Sequence, residues 1–569
     1  MTTRSHGVWR CAMLLFLTCT TPALACDTIS ARGFESLPVD APATDCEAAR
    51  FLTQATFGVS RADLARVREI GYSAWIDEQL AVPATLHRPY LDGLNFAGQA
   101  VSQSDRVDRW WSVAAYAPDQ LRQRMAFALT QILVVSDQDS NLSGRPDWVA
   151  DWNDLMVNNA FGNYRQLLEQ VTYKPQMGLY LTYFRNRREF NSGNPPNLIK
   201  PDENYAREVM QLFSIGLIKR NNDFSPVLSN GQPVPTYDND VIAELAKVFT
   251  GLTWSNALDT NFNSGSASTD PLKCIGQINT TIYHDERSKA LFDGVVLPAL
   301  PTPVTRASCE ADIDRALDAL FNHQSAPSFI SRQLIQRFVT SNPSPAYIQR
   351  VAQVFVNNGS GVRGDLRAVV RAILLDAEAR TASDSTSFGK LREPVLRLSA
   401  IWRAFNVVAP DQQATGQQSM GTRNFNANWG QQPLSSPTVF NFFEPEFEPS
   451  GPIGGAELDA PEFQILDEST IARMSNDVWT RTYSWSDPAT ATTNPRINIT
   501  PLVANAVTNP ARMIEDINVL LLQGRMSPGM RATLRNFLAT PQLTSATAFE
   551  RARSTLGLVV HSPEFAIQR

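Results

Sequence analysis

Apolar residues recur at three- and four-residue spacing through most of this chain, the period of an amphipathic helix rather than the alternation of a strand. Ala48, Phe51, Leu52 and Ala55 form the first stripe, which Phe57-Gly58 closes. Ser60-Arg61-Ala62-Asp63 then reads as a capping box, with Leu64, Val67 and Ile70 as the buried face and Gly71 as the stop. Residues 121–135 are strongly apolar and predict a central helix, at about four turns too short for a membrane span. The same periodicity predicts helices over 148–160, 164–171, 175–184, 238–249, 311–321 and 328–339, and again over 347–356, 366–376, 392–405, 461–474, 511–522, 528–537 and 549–560.

The densest pattern is Pro201-Asp202-Glu203-Asn204-Tyr205-Ala206-Arg207-Glu208 through Gly216. Pro201 suits a first helical position, Asp202 and Glu203 put negative charge at the positive end of the helix dipole, and Gly216 supplies a stop. Glu203 precedes Arg207, and Asn204 precedes Glu208, by the four residues that bring side chains together on one side. Val209, Leu212 and Phe213 are the predicted core face.

Three stretches break the helical period. Residues 221–237 are rich in Pro and Asn and predict a hairpin or an irregular excursion. Residues 255–310 lose periodicity and read as an irregular insertion. Residues 411–455 turn from polar to aromatic, and Phe440-Asn441-Phe442-Phe443 is too apolar to leave in water, so a long ordered loop is expected. The expected fold is therefore mainly α: one large multi-helix domain over 46–569, preceded by a short N-terminal segment, 26–45.

The first 25 residues change the setting. Arg4 and Arg10, the apolar run from Ala12 to Leu17, and Ala23-Leu24-Ala25 have the order of a secretory signal peptide. No later run reaches the roughly 20 apolar residues of a spanning helix. The expected protein is exported, periplasmic or secreted. Cys26 after the cleavage site also raises lipidation, which cysteine parity disfavours. Cys26, Cys46, Cys274 and Cys309 remain after cleavage, and spacing favours Cys26 with Cys46 and Cys274 with Cys309 among three possible pairings. The net charge of -6, with 50 basic and 56 acidic side chains mixed along the chain, carries no basic run of the kind that binds nucleic acid.

Several segments together resemble a large bacterial family catalogued as domain of unknown function 1800. They are Ala48 to Gly58, Asp202 to Glu208, His284-Asp285 with Lys289, and Gly364 to Val369. Gly389 to Pro394, Pro437 to Phe443 and Ser562-Pro563-Glu564-Phe565 complete the set. The resemblance implies an exported, mainly helical protein without an assigned activity, often encoded beside an exported sulfatase-like protein. It supplies no catalytic residues.

Candidate chemistry therefore comes from residue types alone. Asp202 and Glu203, with His284 from the insertion, would make a set of ligands for a divalent metal; Glu208, His284 and Asp285 would do acid–base work beside it. Asn204 and Arg207 would contact or orient a ligand. Histidine is scarce, with His87, His284, His323 and His561 left after cleavage. Trp110-Trp111, Trp429 and Trp485 could stack on sugars, although most tryptophans stand at helical spacing and read as core; Trp429 and the Phe440 loop, placed outside the helices, are the ones whose exposure decides the matter. No HExxH, GxSxG or phosphate-binding glycine loop is present. Two classes follow: a binding protein for a partner, such as the sulfatase-like neighbour, or for a surface polymer; and a metal-assisted hydrolase of an extracellular polymer.

Overall fold

The computed structural model describes residue 26, residues 40–409 apart from 194 and 196, residue 420, residues 425–484, residue 486 and residues 495–569. The leader lies outside them. Within them the chain is mainly α, with 25 α-helices and strands of two or three residues in two-stranded pairs.

Local signals set most helix ends. Ser60 accepts the N–H of Asp63 at 3.0 Å, the helix Arg61–Ile70 follows, and Gly71 ends it at φ 86°. Asp238 caps Asn239–Val248 through the N–H of Val241 at 3.0 Å. The polar connection forms a hairpin, Leu228–Ser229 against Gln232–Pro233, turned by Asn230 and Gly231 at φ 51° and 78°. Both central residues there need positive φ, which Asn and Gly tolerate best.

Helices Arg88–Phe96 and Gln103–Tyr116 lie outside the expected set, the helix expected over 311–321 begins at Arg306, and three further departures have a visible cause. The helix opening near Pro201 begins at Asn204 and runs to Gln211. Asn186 grips the backbone N–H and carbonyl of Asp202 at 2.9 and 3.0 Å, while the Asp202 carboxylate accepts the N–H of Asn204 at 2.9 Å, so Asp202 caps the helix from outside. The central helix, Gln120–Thr130, stops five residues short of Val135. The Arg337 guanidinium takes up the Gln131 carbonyl at 3.1 Å, a partner from another helix that ends this one. The expected 461–474 helix is a 3-10 turn, Pro461–Ile465, followed by an α-helix, Glu468–Trp479. Asp467 restarts the chain there by a reciprocal cap with Thr470.

One continuous apolar core runs from Cys46 to Phe565. The insertion is irregular up to Thr305, with two-residue strands and one 3-10 turn, Phe292–Gly294, but the helix Arg306–Asn322 begins inside its expected end. Cys274 pairs with Cys309 and Cys26 with Cys46, and the first of these ties the strand Lys273–Cys274 to the helix Arg306–Asn322. Among the described residues no helix is long and apolar enough to cross a membrane.

Candidate functional site

The helix Asn204–Gln211 divides its polar residues sharply. Asp202 is exposed, and Glu203 meets Arg207 at 3.7 Å with both side chains more than 40% exposed, a contact that contributes little in water. The Asn204 amide reaches the Thr182 hydroxyl at 3.5 Å. Glu208 turns inward: it is 5% exposed and its Oε2 has no hydrogen-bond partner. Burial raises its carboxyl to about 7, only partly opposed by Arg207.

His284 and Asp285 are fully buried. The imidazole Nδ1 lies 2.9 Å from the Thr250 carbonyl and Nε2 3.3 Å from Asp312 Oδ2, so both ring nitrogens have internal partners. Lys289 donates to the same Asp312 oxygen at 2.7 Å and to the carbonyls of Asp285 and Arg287 at 2.7 and 3.1 Å. Burial works against the Asp285 charge, but hydrogen bonds from Arg287 outweigh it and hold the carboxyl below its usual range. Cys274, His284 and Cys309 bring three potential ligand atoms within 4.8 Å of one another, but the two sulfurs are joined as a disulfide. Among the described residues, Asp202, Glu203 and His284 do not form such a group of three.

Trp429 is also enclosed. It ends the short helix Phe425–Trp429, is fully buried, and donates its indole N–H to Asp477, so it offers no open face to a sugar. Trp485 lies outside the described residues. Phe440, on the other segment placed outside the helices, is 40% exposed.

Phe440 stands at the rim of a cavity of about 230 Å³. Helix Ala326–Phe338 forms one wall with Phe329, Gln333 and Arg337, spaced four residues apart on a single face, and with Arg332 beside them. Gln211 and Leu212 approach from the end of helix Asn204–Gln211, Gln131 from the end of Gln120–Thr130, and Phe440, Phe443, Glu444 and Glu446 from the aromatic loop. The loop is pinned on both flanks. The Asp137 N–H donates to the Leu434 carbonyl at 2.9 Å and the Ser136 hydroxyl to the Ser436 carbonyl at 2.7 Å. Beyond the aromatic residues, the Gln336 amide holds the Pro445 carbonyl at 2.9 Å.

The floor of this cavity is polar, and its polar atoms are not all matched. Gln131, Gln333 and Arg337 are 5%, 5% and 3% exposed, yet Gln131 Oε1, Gln333 Nε2 and Arg337 Nε have no hydrogen-bond partner. Their orientation is held from behind. Glu393 accepts the Gln131 Nε2–H, which obliges Oε1 to face elsewhere. Arg337 donates to the Gln333 and Gln131 carbonyls at 3.0 and 3.1 Å, and Arg124 caps the Arg337 carbonyl at 2.5 Å. Lys390 and Glu462 pair at 2.8 Å below. Burial pulls the Arg124 and Arg337 guanidiniums down to about 10, still cationic at neutral pH, and pushes the Glu462 carboxyl up against the pull of Lys390. Two glutamine amides and a guanidinium in the wall of one cavity suit a ligand that brings donors and acceptors with it.

Glu208 lies one turn before Gln211 and Leu212 on the same helix but is not itself among the residues lining this cavity. Tyr180 and Tyr237 are both raised to about 12, by burial first and in part by the Glu208 charge; Tyr180 also bonds Ser436 at the start of the aromatic loop. Of the cavity residues, sequence reading reached only the Phe440 loop. The four-residue spacing of Phe329, Gln333 and Arg337 was the available signal, but a Gln and an Arg on a buried helix face announce themselves only once the face is known to be buried.

The family model described as "Protein of unknown function (DUF1800)" matches residues 50–567. No curated protein and no solved structure matches the chain.

Proposed function

The chain belongs to the DUF1800 family, whose description names no activity, and from that premise we propose that it is an exported binding protein that takes a saccharide unit of a surface polymer into the cavity under the aromatic loop. One observation carries the reading: aromatic rings, glutamine amides and arginine guanidiniums share the wall of a 230 Å³ cavity. A sugar ring has an apolar C–H face for Phe329, Phe440 or Phe443 and hydroxyls that both donate and accept, as Gln131 and Gln333 require. The volume lies below the usual range for drug-sized ligands, about 300–1,000 Å³, and suits one ring or a chain end. Export is supported by the leader pattern and is compatible with the two disulfides. The test is retention of the mature protein on immobilised polysaccharides, beside a Gln333→Ala variant. Retention by a polysaccharide that weakens about tenfold in the variant, roughly 1.4 kcal/mol, supports the reading; no retention on any of them removes it and leaves a protein partner, such as a sulfatase-like neighbour, as the ligand.

A second reading, hydrolysis of the bound polymer, has Glu208 in its favour. A carboxyl raised to about 7 remains partly protonated at neutral pH and can serve as a general acid. In the metal-assisted form of that reading Asp202 and Glu203 would hold a divalent ion, and His284 and Asp285, now fully buried, would have to leave their internal partners to join it. Product release from a polymer by the parent but not by Glu208→Gln, with or without added divalent metal, is the measurement that favours it.

A further inference from the structure

We propose that the occupant of this cavity is an acidic sugar, a uronate rather than a neutral hexose, and that the carboxylate of Glu446 holds the place of the ligand carboxylate in the free protein. The proposal rests on the saccharide reading above and names the class of sugar. Arg220 and Arg332 converge on one spot. Their guanidinium carbons lie 4.3 and 4.6 Å from the centre of the Phe224 ring, so a single aromatic residue positions both cations. One oxygen of Glu446, Oε1, lies between them, 3.7 Å from Arg220 Nη2 and 3.6 Å from Arg332 Nη1.

Those separations are beyond hydrogen-bond length, which distinguishes them from the 2.6 Å bond that Arg332 makes to Asp459. Asp459 fixes one edge of the Arg332 guanidinium and leaves the other aimed at Glu446. The Glu446 side chain is 59% exposed and sits on the loop that forms the cavity rim, so it can swing into water with little loss. The cavity wall carries three arginines, Arg220, Arg332 and Arg337, against two glutamates, Glu444 and Glu446. Once Glu446 leaves, the imbalance favours an incoming anion. Glu446 reaches both guanidiniums through one oxygen only, and a ligand carboxylate that enters in its place can add the edge-to-edge contacts for which guanidinium forks are suited. A uronate offers that carboxylate at one end of the ring, with its remaining hydroxyls free for Gln131 and Gln333 at the floor.

The test uses matched sugars that differ only at the sixth carbon: glucuronate against glucose and galacturonate against galactose, titrated calorimetrically into the full mature chain at low salt. Inorganic sulfate is a further arm. At least one uronate is expected to bind about tenfold or more tighter than its neutral parent. Glu446→Gln is expected to widen that ratio about threefold or more by removing the competitor, and Arg220→Gln to abolish it, with unchanged thermal unfolding showing that both variants fold. Equal binding of uronate and parent sugar, unmoved by either substitution, overturns the proposal while leaving the saccharide reading standing. Absence of binding by all four sugars overturns both. Sulfate binding as tightly as the uronate, with the same dependence on Arg220, overturns the carboxylate assignment in favour of a general anion site.

Discussion

Two regions of this molecule are rich in buried charge, and they treat it in opposite ways. Under the insertion, His284, Asp312 and Lys289 are each fully buried and bonded to one another, with all three donor positions of the Lys289 ammonium facing oxygen atoms. Around the cavity, Arg332 and Arg220 share a distant carboxylate, while Gln131, Gln333 and Arg337 keep unmatched atoms. The first closes its ion pairs at 2.7 and 3.3 Å inside the core, although Asp312 Oδ1 keeps no partner of its own. The second holds its charges at 3.6 and 3.7 Å beside a cavity, where a ligand can reach them. Scarcity of histidine and density of acids pointed to the first region; loosely held charge beside a cavity points to the second.

The largest effect that separates the two regions is expected from Asp312→Ala. It strands Lys289 and His284 in the core and should lower stability by about 3–5 kcal/mol in urea denaturation, whereas Arg220→Gln and Glu446→Gln should leave the midpoint nearly unchanged. An Asp312→Ala protein with parental stability would show that these ion pairs do not hold the core there. Next comes the bridge closing the insertion: replacing Cys274 and Cys309 by serine should cost about 3–4 kcal/mol for a sequence separation of 35, with sugar binding at low temperature retained.

Gly216→Ala is expected to cost about 2 kcal/mol and also to disturb binding. The backbone there has φ 70°, and an added Cβ would lie 2.8 Å from the Phe329 ring in the cavity wall. Calorimetry and denaturation on the same sample separate these two consequences.

Glu208 ties stability to pH. Its folded-state carboxyl stands at about 7, above the ordinary value of 4.5, so the folded state holds the proton more tightly than the unfolded chain. No penalty applies below pH 4.5; it grows as pH rises to 7 and is complete above. Glu208→Gln, which cannot ionise, should therefore match the parent near pH 4 and exceed it by about 1–3 kcal/mol at pH 8, measured as the difference between denaturation midpoints. A constant difference across that range would remove the titrating role. The smallest effect is expected from Phe440→Ala: about a tenfold loss of affinity for the retained polysaccharide, with melting temperature unchanged, since the ring is already 40% exposed.

Much of the helical framework was legible along the chain, because caps and apolar stripes are local. Ser60 with Asp63, Asp238 before its helix and the run ending at Val560 fall where spacing places them. The failures share a cause. Helix Gln120–Thr130 ends early because Arg337, more than 200 residues later, takes its carbonyl, and the Pro201 helix opens late because Asn186 holds Asp202. Trp429 read as a loop aromatic because the Asp477 carboxylate that receives its N–H lies on a helix 48 residues away. The Phe440–Phe443 run read as too apolar for water; Phe443 is buried as that implies while Phe440 stays 40% exposed, and nothing around it in sequence names the residues it faces.

The order of apolar and polar residues determined by itself that the protein is mainly α and where many helices start and stop, since each depends on neighbours within a few turns; cysteine spacing favoured one of three pairings, and the folded chain fixed it. Tertiary structure alone decided that His284 is enclosed by Asp312 and Thr250, that Glu208 is held in a setting that favours its proton, and that Gln131, Gln333, Arg220 and Glu446 meet around one cavity. Hydrogen-bond saturation and desolvation depend on every atom within a few ångströms, whatever its distance along the chain, and the fold is what sets that distance.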